Sequence, residues 1–295
     1  MAQTRRQIIK KILIGGSAVV ASPVMALAPS VKADDLDRRK GNIQHSVCRW
    51  TYNDLSLTEL CTTVKKLRFS AIDLVGPKEW NVLKKHSIDS SMCNGAEISL
   101  TEGFNDKQYH ATLLKNYLEH IELVSKAGYK NLICFSGNKK GMDDETGLKN
   151  CTEALKLLML TAEKKGVVIQ MELFNSKVDH KDYMCDNTKW GIELCKRIGS
   201  PNFKLLYDIY HMQISEGDVI RTISDHHQYF GHYHTAGVPG RHEIDETQEL
   251  FYPAIMKAIV ATGYQGYVAQ EFIPTGKTMN DKIAALKKAV NICDV

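Results

Sequence analysis

The stretch VVIQMELFNSKVDHKDYMCDNTKWGIELCKRIGSPNFKLLYD, residues 167–208, holds one full turn of the pattern that decides the fold. It opens on an apolar, β-branched run at 167–172 and closes on a second run at 203–208, both of strand type. Between them, residues 187–199 place apolar side chains at three- and four-residue spacing and stop at Gly199, as helices commonly do. Strand, helix and strand in one short span read as a parallel βαβ unit.

Working outward, the same alternation extends from residue 43 to the end. Further strands are expected at 43–48, 71–74, 88–94, 131–135, 229–234 and 266–271, and further helices at 56–69, 110–128, 147–166 and 281–293. Eight strand-then-helix repeats predict a (β/α)8 TIM barrel, an α/β fold in a single domain spanning 34–295. A doubly wound open sheet is the competing architecture, but the glycine-rich fingerprint after its first strand is missing.

The first 33 residues are a different kind of segment. Arg5, Arg6, Lys10 and Lys11 precede an apolar run from Ile12 to about Ala28, followed by small residues ending at VKA, 31–33. This is the layout of a signal peptide, and TRRQIIK (4–10) has the twin-arginine type. The expectation is export to the periplasm by the twin-arginine machinery with cleavage after Ala33. The alternative is an uncleaved signal that anchors the protein to the membrane.

Removing that segment changes the charge balance. Five of the 38 basic residues lie in it with no acid among them, so the rest of the chain balances its 34 acids almost one for one. That near-neutrality does not support a nucleic-acid-binding surface. Eight cysteines in an exported chain would ordinarily suggest a disulfide framework. Here no CxxC occurs, and Cys134 and Cys195 sit in strand-like and helix-like runs, so mostly free, buried thiols are expected.

In a barrel of this kind chemistry gathers where the strands end, because the loops after each strand meet at one rim. Four successive strands end in metal-ligating types: Glu172, Asp208, His234 and Glu271. Taken singly, either glutamate reads as a capping acid or a salt-bridge partner, Asp208 as a helix N-cap and His234 as a hydrogen-bonded core histidine. Taken together, three carboxylates on one crowded rim would repel one another without a cation. Three carboxylates and an imidazole suit one divalent ion, manganese or magnesium ahead of zinc, with cobalt a further choice. His232 shares a strand face with His234 and is a candidate substrate-binding or supporting residue.

MELFNSKVDHKDYMCDN (171–187), GSPNFKLLYDIYHMQISEGDVI (199–220), GHYHTAGVPGRHEIDE (231–246) and GYVAQEFIPTG (266–276) resemble the hydroxypyruvate isomerase group of the xylose isomerase-like barrels. The likeness is dense over 167–275; over 43–135 only the strand rhythm supports it. It implies one metal held by Glu172, Asp208, His234 and Glu271, with Glu172 and Glu271 also serving as the catalytic acid/base pair. It further implies substrate contacts from His211, three residues after Asp208, and from Arg241, which could hold a carboxylate bidentately. The implied reaction converts hydroxypyruvate to tartronate semialdehyde through an enediolate.

Hydroxypyruvate isomerases often carry Gln where this chain has His234, whereas related ketose 3-epimerases carry His. The export segment also favours free sugars over a cytosolic keto acid. A ketose 3-epimerase or aldose–ketose isomerase with the same site is therefore the alternative. A barrel endonuclease with three zinc ions would need further ligands on strands two to four, which AIDL (71–74), IDSSMCN (88–94) and NLICF (131–135) do not supply. A non-catalytic exported sugar-binding barrel is opposed by the presence of both glutamates.

Overall fold

The computed structural model describes residues 39–295; the export segment and its cleavage position lie outside the described residues. Among the described residues no helix is long and apolar enough to cross a membrane. The strands are β1 (Gln44–Val47), β2 (Ala71–Ile72), β3 (Asp89–Ser90), β4 (Asn131–Cys134), β5 (Val168–Glu172), β6 (Phe203–Asp208), β7 (Phe230–Thr235) and β8 (Tyr267–Gln270). Each falls within, or one residue beyond, a run expected from the sequence.

Strands β4 to β8 and then β1 pair in parallel as one curled sheet, and β2 pairs with β3. Single bridges Cys48–Asp73 and Cys93–Leu132 join the two sheets, and Val75–Cys93 extends the pairing of β2 with β3. The result is a parallel barrel of alternating strands and helices, consistent with (β/α)8.

The expected helices appear as α1 (Leu57–Lys66), α3 (His110–Ala127), α4 (Asp144–Lys165), α5 (Thr188–Ile198) and α9 (Met279–Cys293). Their ends follow local chemistry. Ser56 and Glu59 close a capping box on α1, Asn187 caps α5 by accepting from the Trp190 amide, and Gly128, Gly166 and Gly199 end α3, α4 and α5 in the left-handed conformation. Four more helices lacked a clear periodic signal: α2 (Trp80–Lys85), α6 (Ile209–Ser215), α7 (Val219–His226) and α8 (Tyr252–Ala261). The first three span only about two turns each, short for a 3.6-residue period to show, and α8 is apolar on most faces.

One irregularity sets the site. Leu205 pairs with Phe230, but Leu206 pairs with His232, so the register skips Gly231. That slip brings Asp208 level with His234, which shares its face with His232 by strand alternation. Gly231 has no room for a side chain, because a Cβ there would lie 2.7 Å from Oε1 of Gln170. All eight cysteines are buried and none is in a disulfide, as expected of free thiols.

Candidate metal centre and active site

The four strand-end residues converge. Glu172 closes β5, Asp208 closes β6, His234 lies in β7 and Glu271 follows β8 directly, and their ligand atoms all lie within 4.8 Å of one another. All four are buried. Asp208 also has the N-cap role: its Oδ1 accepts from the His211 amide at 3.1 Å and starts α6 with no intervening loop. Its Oδ2 has no hydrogen-bond partner.

His234 sits between the carboxylates. Its Nδ1 is 2.9 Å from Glu172 Oε1 and 2.9 Å from Glu271 Oε2, and its Nε2 is 3.0 Å from Asp73 Oδ1. Arg241 reaches in from the loop after β7, with Nη2 2.5 Å from Glu271 Oε2 and 3.6 Å from Asp208 Oδ2. Its guanidinium lies over the rings of Trp50 and Tyr210. The Trp50 indole donates to Glu271 Oε1 at 2.8 Å.

The electrostatics follow from burial and crowding. Burial pushes the Asp208 carboxyl up to about 8, with Glu271 and Glu172 adding to the rise and Arg241 opposing it. Burial also raises Glu172, against His234. On Glu271 burial acts in the same direction, but Arg241, His234 and Trp50 together outweigh it and hold that carboxyl well below the usual range. Burial favours neutral His234, yet the surrounding negative groups, Glu271 foremost, raise it well above its ordinary value. Asp208, Glu172 and His234 are thus shifted toward their protonated forms, which a neighbouring dication would oppose, while Glu271 is held ionised.

An orphaned, buried Asp208 oxygen and an imidazole nitrogen pinned between two carboxylate oxygens are what a donor set leaves when its cation is not counted. Three oxygen donors and one imidazole fit a divalent ion of hard-to-borderline type. Uptake of such an ion at pH 7 is expected to expel at least one proton. Asp208 keeps its proton below about pH 8 and must lose it to ligate, so affinity should climb with pH up to about 8 and flatten above. Calorimetry in buffers of differing ionisation heat measures the proton count; zero protons released at pH 7 would contradict the assignment.

The residues expected near substrate separate into two groups. His211 is buried beside the quartet, with Nδ1 2.7 Å from the Asn175 amide nitrogen and Nε2 3.6 Å from Asp208 Oδ2. An amide donating to Nδ1 leaves the proton on Nε2, facing the site. Burial, followed by the charge of Arg241, lowers its pKa well below the usual value, so it is a neutral donor. Arg241 is enclosed at the pocket and not a solvent-exposed loop arginine. His232 is different: it is fully buried, its Nε2 is 2.8 Å from Asp73 Oδ2, and it does not line the pocket. Its position is behind His234, in support. Of the other loop residues, His180 stacks on Phe174 and lines the pocket, Lys177 bonds to the Ser215 carbonyl and His242 to that of Ile273.

The pocket above the quartet has a volume of about 380 Å3. Glu172, Glu271 and Arg241 form its polar floor, and Trp50, Phe135 and Phe174 an aromatic wall. Two residues in contact with the quartet escaped the sequence reading. Trp50 lies in a 3-10 turn after β1, where no pattern marks it, and Asp73 follows a strand of only two residues. The acid in AIDL was the available signal for Asp73.

Comparison with known proteins agrees with the barrel fold. The family profile described as xylose isomerase-like TIM barrel matches residues 78–289. A 2-oxo-tetronate isomerase from Cupriavidus necator is 35% identical over 126 residues, covering 43% of this chain and 48% of that protein. The hydroxypyruvate isomerase of Escherichia coli is 30% identical over 163 residues, 54% of this chain and 61% of that protein. The chain thus spans about half the length of the curated relatives it matches. In fold it resembles D-psicose 3-epimerase from Clostridium cellulolyticum H10, with TM-score 0.70 at 16% identity over 85% of this chain and 98% of that one. By its profile and its eight-stranded architecture, the chain belongs to the xylose isomerase-like TIM barrel family.

Proposed function

We propose that the protein is a metal-dependent isomerase of a short hydroxy-keto acid, with hydroxypyruvate to tartronate semialdehyde as the reference reaction. The observation that carries this reading is the pair Glu172 and Glu271, both at the pocket floor beside a buried arginine. Glu172, Asp208, His234 and Glu271 would hold one divalent ion, manganese or magnesium, whose Lewis acidity makes the C–H bond beside a carbonyl easier to ionise.

The protein's own groups then move the proton. Glu271, the carboxyl held ionised, takes a proton from C3, and the electron pair left behind forms the enediolate. Glu172, whose carboxyl is shifted upward by burial, returns a proton at C2, and exchange with solvent restores both glutamates for the next turnover. The remaining hydroxyl proton passes from O3 to O2, so atoms and charge balance. His211 Nε2–H donates to a substrate oxygen as negative charge grows there. Arg241 pairs with the substrate carboxylate, its guanidinium fork set by Trp50 and Tyr210. The aromatic wall excludes water from the reacting carbons.

The second reading is a ketose 3-epimerase using the same two glutamates. It is favoured by the imidazole at His234 and by a pocket larger than a three-carbon acid requires. The export segment adds the proposal that the enzyme acts in the periplasm. Purified protein with manganese, given hydroxypyruvate, a four-carbon 2-oxo homologue and a panel of ketoses in deuterated water, separates the readings by NMR. Deuterium at C2 of the product acid, lost on chelation, is the expected result. Exchange confined to C3 of a ketose would overturn it in favour of the epimerase.

A further inference from the structure

We propose that Asp73 is a positioning residue that fixes His234 as an Nδ1 metal ligand and so sets the protein's metal affinity. This rests on the divalent-ion reading above. Asp73 follows β2, is fully buried and does not line the pocket, so it has no route to substrate. Both of its oxygens are held. Oδ1 accepts from His234 Nε2 at 3.0 Å and faces the Cys48 thiol at 3.6 Å. Oδ2 accepts from the Ser91 hydroxyl at 2.6 Å and lies 2.8 Å from His232 Nε2, off the hydrogen-bonding line.

These contacts come from segments at the ends of β1 and β3 and from β7, so the carboxylate cannot turn without breaking contacts to three strands. An ionised carboxylate only accepts, and the Nε2 it faces must therefore carry the hydrogen. The one nitrogen of His234 left to supply a lone pair is Nδ1, and Nδ1 is the atom lying 2.9 Å from both Glu172 and Glu271. An ion at the quartet needs that lone pair, aimed along that line.

A second cation site on Asp73, His232 and His234 is the competing reading, since their ligand atoms also cluster. The donor sets separate the two. That cluster offers a single carboxylate, whose oxygens already face the Cys48 thiol and accept from the Ser91 hydroxyl, whereas the quartet brings three carboxylates together and leaves Asp208 Oδ2 without a partner.

The test uses the full-length protein and its Asp73→Asn and Ser91→Ala variants. Asp73→Asn should lower manganese affinity about 10- to 100-fold in calorimetry, and Ser91→Ala only a few-fold. In both metal-free and magnesium-loaded protein, the downfield Nε2–H proton signal of His234 should move upfield and exchange faster in Asp73→Asn. If Asp73→Asn fails to fold, the same signal in Ser91→Ala should shift in the same direction by less. An unmoved signal with unchanged metal affinity would make Asp73 a purely structural residue and sink the proposal. Two ions per wild-type chain, one of them lost in Asp73→Asn, would replace it with the second cation site. Failure of the wild type to bind any divalent ion would sink the metal reading itself, while the proton signal still reports whether Asp73 orients His234.

Discussion

Glu271→Gln is expected to lower deuterium incorporation from solvent by about 10²- to 10⁴-fold while the protein stays folded and still takes up manganese. The substitution keeps one of the two oxygens, which can stay at the position facing His234 while the hydrogen bond accepted from the Trp50 indole is given up. What it removes is the proton acceptor. Glu271 suits that role because Arg241, His234 and Trp50 keep it ionised despite its burial. Its neighbour Glu172 closes a different strand, and burial shifts its carboxyl upward, against the role of proton acceptor. Solution NMR of substrate exchange at saturating manganese measures the effect. Exchange within about tenfold of wild type would remove Glu271 from the acid/base pair. A loss matched by equal loss of metal would show a ligand role only.

The floor of this site was legible in the sequence because each of its four residues stands at or beside the end of a strand whose apolar run is visible on its own. Asp208 was the plainest case: an apolar strand that stops on a carboxylate, with His211 three residues on. The structure adds that the same carboxylate caps α6 through one oxygen and leaves the other without a partner among the four strand-end groups. Trp50 and Asp73 were hidden for a physical reason. They act through contacts between residues far apart in the chain, 221 positions for Trp50 and Glu271, and no local period records such a pairing. The register slip at Gly231 was hidden in the same way. A glycine in GHYH looks like a weak strand position until the crowding against Gln170 shows why nothing larger fits. His232 could be assigned to the face of His234 from strand alternation, but not to the side of Asp73, since depth in a barrel depends on the stagger of neighbouring strands.

Arg241→Gln should separate the two jobs that the guanidinium holds. In metal-free protein Arg241 is the cation nearest Glu271 and Asp208, and it is mostly buried, so removing it leaves two carboxylates short of a partner. A loss of about 3 kcal/mol in stability is expected in the presence of a chelator, the size usual for breaking a buried ion pair from one side. Saturating manganese should narrow that loss, because the ion supplies the missing positive charge and no longer competes with the guanidinium for Asp208 Oδ2 and Glu271 Oε2. Denaturant titrations with and without manganese give the comparison, and an equal loss in both conditions would contradict it. The second job concerns the substrate. An acid should lose a charge-assisted contact and show a KM raised by about 100-fold, whereas a neutral ketose should be affected far less. Measured side by side on the same variant, those two KM values test the carboxylate assignment without reference to which compound the wild type turns over faster. If acid and ketose suffer alike, Arg241 serves the glutamates and not the substrate, and the case for a keto acid rests on the relatives' names alone.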